Sequence, residues 1–216
     1  MTITAPVADT SRPGPHLDAV LRRRVAQLGI WVFLASELLL FGGLLFAYGH
    51  GRLRWPEGFA VAGAHTHVAL GTINTALLLT SSLLVATAVD AAAHGRRRWV
   101  APLLWGTVAL GLAFLAVKGF EYRMEFGEGL FPGQRFGLQQ PGAEVFFTLY
   151  FIATGLHAVH MAAGIVAIGL FAWHARDPSS DWLRSSRIET MGLYWHFVDV
   201  IWIVLYPLIY LLGRAV

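Results

Sequence analysis

Few side chains in this 216-residue sequence could do chemistry, and nearly all of them sit inside long apolar runs. Glu37 lies between Phe33 and Phe41 with no basic residue at helical spacing. A charge at the bilayer centre costs on the order of 2.5–3.5 kcal/mol on insertion scales. Such a carboxyl is therefore expected either to be kept neutral by a backbone or hydroxyl contact or to handle protons or contact lipid. Lys118 and Glu121 are three residues apart, a spacing that brings side chains together on one helix face. They are expected to form an ion pair near a membrane interface that pins the helix, although Lys118 could also snorkel toward lipid phosphate. His157 and His160 repeat that spacing beside the small residues Ala153, Gly164 and Ala167, a face suited to close helix approach and interhelical hydrogen bonding. They could instead ligate a metal, with His196, Asp199 or Glu189 completing the set, but no local spacing matches a metal motif. Tyr194, Trp195, His196, Asp199 and Trp202 form an unusually polar and aromatic stretch, and Asn74, beside Thr75, is another interhelical hydrogen-bond candidate. These residues make polar glue for a bundle and no assembled catalytic site.

The elements that must position them are membrane helices. Five apolar runs, at about 25–49, 66–89, 99–121, 145–173 and 189–212, each reach the ~20 residues needed to cross ~30 Å of hydrocarbon. The first run is too long for a signal-peptide core and lacks a small-residue cleavage site. The expected fold is thus all-α, one bundle over residues 25–216 behind a flexible cytoplasmic tail at residues 1–24 rich in Pro, Gly, Ser and Thr in its first part. Arginines orient it, because basic residues resist translocation. Arg12, Arg22, Arg23, Arg24, Arg96, Arg97, Arg98, Arg176, Arg184 and Arg187 fall on one side. Arg52, Arg54, Arg123, Arg135 and Arg214 fall on the other. The larger set places the N-terminus in the cytoplasm and the C-terminus outside. The connections at 50–65 and 122–142, both outside, read as loops that pack on a neighbour.

Composition agrees with lipid as the solvent: 56% of the residues are hydrophobic and 13% charged, too few polar groups to cover a soluble protein. There is no Cys, which excludes disulfides, thiolate metal sites and covalently attached c-type haem. The net charge of +3 is mostly Arg, with Lys118 the sole lysine, and no basic stripe offers itself to nucleic acid.

Several of these segments together resemble subunit III of the haem-copper oxidases, the cytochrome c oxidase family. The resemblance rests on Ser36-Glu37 in the first run, Asn74-Thr75 in the second, Glu121-Tyr122 closing the third, Thr154-Gly-Leu-His157-Ala-Val-His160 in the fourth, and Tyr194-Trp-His-Phe-Val-Asp-Val-Ile-Trp202 in the fifth. It implies an accessory subunit packed against catalytic subunit I and near subunit II, in a multi-pass bacterial inner (plasma) membrane location. Haem and copper would reside in those partners and none in this chain. By the same likeness Glu37 would match a membrane carboxyl near the proton-uptake side or lipid cleft, with the other polar residues framing bound phospholipid. Longer family members carry two further helices ahead of the Ser-Glu helix, one arm of a lipid-holding V. This sequence begins after that arm, so a lipid cleft calls for a replacement segment from another subunit. Relatives also accompany quinol oxidases and nitric oxide reductases. From other classes, a free-standing ion transporter relaying through Glu37, His157, His196 and Asp199 would be expected to show an internal repeat, and none is visible. An independent haem or metal enzyme would need the histidine faces to ligate.

Overall fold

A computed structural model of the chain describes residues 15–134, 136–176 and 185–212. The expected tail lies outside the described residues up to position 14, as do the arginines at 12, 135, 184 and 214. Helix α1 (Pro15–Arg54) is followed by a short α2 (Pro56–Ala64) and by α3 (Val68–Ala93), α4 (Arg97–Gly127), α5 (Ala143–His174) and α6 (Ser185–Tyr206). A π-helical turn, Pro207–Leu211, continues α6. Among the described residues five segments are long and apolar enough to cross a membrane: Leu28–Arg54, Val68–Ala93, Arg97–Gly127, Ala143–His174 and Arg187–Leu211. The fold is thus all-α with five spans, as the apolar runs predict, each boundary shifted by a few residues.

The connection expected as a loop at 50–65 is largely helical. Pro56, which lacks a backbone N–H, sits at the first position of α2, where none is needed. The chain divides into two units, Met1–Leu39 and Leu40–Val216, with α1 contributing to each. In the second unit α3 packs on α4 and α6, α5 packs on α4 and α6, and α2 packs on α5. Tyr48, from the second half of α1, stacks edge-on to Phe59 of α2, which in turn meets Phe146 of α5 at 90°. Its hydroxyl donates to the Leu208 carbonyl at 2.8 Å. A π turn displaces carbonyls from the regular ladder, and Arg52 similarly donates to the Leu212 carbonyl.

The helices stop by local rules. Gly129, at φ 71°, takes the left-handed conformation that ends α4. The Leu130 N–H then bonds the Glu125 carbonyl at 3.0 Å, and the Gly129 N–H bonds that of Phe126. Gly95, at φ 70°, ends α3 in the same way.

Polarity is inverted relative to a soluble bundle. Leu79, Leu83, Leu112, Val159, Val166 and Leu170 face outward, whereas Asn74, Ser81, Thr107, Lys118, Glu121, Glu125, Thr154, His157 and Asp199 are buried. With hydrocarbon outside, burying apolar surface between helices gains little. Close packing and interhelical hydrogen bonds hold the helices together instead.

Trp195 shows the packing limit. It is fully buried, and a Cβ on Gly164 would fall 3.0 Å from its ring, while one on Gly111 would fall 3.1 Å away. Gly164→Leu should displace the indole and cost ~1–3 kcal/mol, as overpacked cores do. Gly169, with nothing within 4 Å of its added Cβ, should accept Ala without loss. Thermal unfolding of the two variants in detergent checks this: equal midpoints would show that Trp195 is not tightly seated.

Candidate functional site

Helical periodicity sets the inner faces. On α4, Lys118, Glu121 and Glu125 recur at i, i+3 and i+7, all buried. On α5, Tyr150, Thr154, His157 and Met161 recur at i, i+4, i+7 and i+11, all buried. On α6 and the π turn, Trp195, Asp199, Trp202 and Tyr210 face inward. These faces meet at one buried ammonium.

Lys118 Nζ donates to Glu121 Oε2 at 2.9 Å, to Tyr150 Oη at 2.7 Å and to Tyr210 Oη at 2.7 Å. An ammonium has three donors, and all three are used. Nζ also lies 4.5 Å from the Tyr150 ring centroid and 5.1 Å from that of Tyr122, so aromatic faces surround the charge. Tyr210 Oη is at 2.8 and 3.0 Å from the two oxygens of Glu121. Ammonium, carboxylate and two phenols thus close a compact network from three segments. The expected ion pair is present, and its side chains are 3% and 0% exposed, enclosed by the neighbouring helices. With its donors committed inward, Lys118 does not extend toward lipid phosphate. One turn further along α4, the Glu125 carboxyl is also 0% exposed.

The histidines of α5 separate. His157 is buried between the rings of Phe114 and Trp202, with centroids at 5.6 and 5.2 Å. His160 is half-buried, its Nδ1 2.8 Å from the Leu156 carbonyl and its ring edge against Phe41. The polar stretch of α6 faces α3 and α5. The Trp195 indole N–H donates to Ser81 Oγ at 3.1 Å, and that of Trp202 to Thr75 Oγ1 at 3.1 Å. Tyr194 donates to the His160 carbonyl at 3.0 Å. His196 Nδ1 is 2.6 Å from Ser82 Oγ, and Asp199, 3% exposed, interacts with the same serine. Asn74 is fully buried on α3. Glu37 belongs to the N-terminal unit. It is half-buried on α1 beside Ser36, whose hydroxyl donates to the Phe33 carbonyl at 2.7 Å.

The structure therefore joins Lys118 with Glu121 and His196 with Ser82, and places Asp199 near the same serine. It does not gather His157, His160, His196 and Asp199 into one site. Among the described residues no group of three or more His, Cys, Asp or Glu is placed to hold a metal ion. Sequence reasoning missed Tyr150, Tyr210, Glu125, Ser81 and Ser82. Glu125 carried a usable signal, being seven residues beyond Lys118 on the same face. The tyrosines and serines had none, because their partners lie on other helices.

The arrangement can bind helices together and fix a buried charge. Comparison with known proteins supplies the wider context. A family model described as cytochrome c oxidase subunit III matches residues 7–214. The chain is 35% identical over 196 residues to cytochrome c oxidase subunit 3 of Thermostichus vulcanus, covering 87% of each chain. It is 30% identical over 223 residues to cytochrome c oxidase subunit 3 of Corynebacterium diphtheriae, covering 96% of this chain and 98% of that one. Cytochrome bo(3) ubiquinol oxidase subunit 3 of Pseudomonas putida is 27% identical over 194 residues, covering 88% and 87%. With five apolar spans and bacterial relatives, this is a multi-pass protein of a bacterial inner membrane. From its whole-length match and its conserved-length relatives, the chain belongs to the cytochrome c oxidase subunit III family.

Proposed function

We propose that this chain is the non-catalytic third subunit of a respiratory haem-copper terminal oxidase, packed against catalytic subunit I and near subunit II, with its N-terminus in the cytoplasm. Haem and copper belong to those partners. The observation that carries a supporting role is the Lys118 network: its ammonium donors are all used within the chain, so the site braces α4, α5 and the π turn and offers substrate nothing. The arginine bias supports the orientation, and the names of the relatives support the oxidase.

Within that role, Glu37 is the residue for proton uptake or lipid contact. Asn74, His157, His160, Tyr194, Trp195, His196, Asp199 and Trp202 brace the bundle, with bound phospholipid against it. Quinol oxidase is the second reading for the complex, favoured by the Pseudomonas putida relative.

Three measurements test this. A tagged chain extracted gently from native membranes should bring a haem-copper catalytic subunit with it, visible in the reduced-minus-oxidised optical spectrum. A chain that emerges alone would refute the assignment, and the absence of a copper-bearing subunit II centre would favour quinol as the donor. Glu37→Ala should leave assembly intact and modestly change proton uptake or the durability of turnover; loss of the complex would make the residue structural. Lys118→Met should destabilise the isolated chain by about 3–5 kcal/mol, because it strands the buried Glu121 carboxylate. The double variant Lys118→Met, Glu121→Gln should recover much of that, and equal losses in the two variants would show that the pairing is not what the network contributes.

A further inference from the structure

Lys118, Glu121 and Glu125 lie on one stripe of α4 at i, i+3 and i+7, and Glu128, the residue that caps the helix, continues it at i+10. Burial changes sharply along it. Lys118, Glu121 and Glu125 are 2%, 0% and 0% exposed, whereas the Glu128 side chain is 44% exposed. Glu128 lines a cavity of about 560 Å³ at the corner between α2 and α3, together with His65, His67, Phe120 and Met124. His67 Nε2 is 3.9 Å from Glu128 Oε1. The stripe therefore runs from an open cavity to the buried ammonium.

The charges along it do not balance. Glu121 takes the Lys118 ammonium and the Tyr210 hydroxyl. Glu125 makes no hydrogen bond of ordinary length from either oxygen, although the Tyr150 hydroxyl is near enough to interact with it. One buried cation thus faces two buried carboxyls, and a lone carboxylate in such surroundings carries a penalty of several kcal/mol. A second positive charge completes the cluster, and the stripe gives it an entrance. Glu125 and Glu128 are three residues apart, about 4.5 Å of helix rise. The titratable groups around Glu125 include Lys118, Glu121 and Tyr122 on its own helix, Glu128 at the cap of that helix and Tyr150 on α5, with Tyr210 of the π turn beyond Glu121.

We propose that Glu125 is a proton-exchange site, reached from the cavity through Glu128 and His67, by which the buried Lys118 cluster equilibrates with the water at the α2–α3 face of the membrane. A proton arrives on Glu128 or His67, moves to a Glu125 carboxylate oxygen, and returns by the same route. The line stops at Lys118, so no charge crosses the membrane. What changes is the net charge at the centre of the brace, which then follows the pH on that one face. The proposal goes beyond the accessory role and holds whichever electron donor the complex uses.

Infrared spectroscopy of the purified complex in H2O and D2O reads it directly, through the carbonyl stretch of a protonated buried carboxylic acid. The expected result is a band that vanishes in Glu125→Gln and that Glu37→Gln and Asp199→Asn leave in place. In the combined Glu128→Gln, His67→Ala variant the band should persist but exchange with D2O on the order of a hundredfold more slowly, the low end of what a positioned proton-transfer group contributes. If Glu125→Gln fails to assemble, the exchange rate in the combined variant decides alone. A band unaffected by Glu125→Gln, or an exchange rate unchanged in the combined Glu128→Gln, His67→Ala variant, overturns the proposal. So does a Glu125 that shows only a carboxylate signal shifting with added sodium, which would make the second charge a metal cation. Failure of the chain to co-purify with an oxidase would refute the accessory-subunit assignment and leave this measurement intact.

Discussion

A bare ammonium cannot be left in hydrocarbon, and much of the second unit follows from how Lys118 is accommodated. Its three donors require three acceptors that one helix cannot supply. Glu121 comes from α4, Tyr150 from α5 and Tyr210 from the π turn after α6. Each acceptor fixes the rotation of its own helix, because an inward tyrosine places every other residue of that helix on a definite face. The π turn is part of the same solution, since Tyr210 must direct its hydroxyl to both Lys118 and Glu121. The carbonyls around that turn are in turn bonded by Tyr48 and Arg52.

Below this network the bundle is held by a different device. Trp195 and Trp202 are large apolar bodies with one donor each, and each donor finds a hydroxyl on α3. Serine and threonine suit that role in a membrane helix. Their hydroxyls bond back to their own helix, as Ser81 does to Leu78 and Thr75 to Gly71, so they carry little cost when no partner is near. Gly111 and Gly164 then provide the room for the Trp195 indole. Close approach and hydrogen bonding replace the hydrophobic drive that a lipid solvent removes.

How much of this the sequence disclosed depends on whether a feature is local. Span number and type were legible, because a run of some twenty apolar residues has one structural outcome in lipid. The Lys118–Glu121 pair was legible for the same reason, since three-residue spacing on a helix is a contact. Its depth was not. The third apolar run was read as ending at Glu121, while α4 continues to Gly127 and Gly129 terminates it, so the pair lies within the helix and Glu125 is added to its face. The helix at Pro56–Ala64 was hidden by its Gly and Pro content, although Pro at the first position of a helix is favourable. The serine and tyrosine partners were invisible, because which helix faces which is decided by packing and not by any spacing within one run.

The family pattern and the physical pattern meet at different residues. The segments that carry the likeness are those with polar groups in apolar runs, and most prove to be interhelical anchors: Trp195 on Ser81, Trp202 on Thr75, His196 on Ser82. Several of the buried polar groups are thus spent on the chain's own helices, beneath an apolar exterior. A free-standing transporter would need those groups along a continuous route, yet His157 is enclosed by Phe114 and Trp202, while His196 bonds α3. The separation of these groups and the packing of the core around them follow from the same hydrogen bonds and ring contacts.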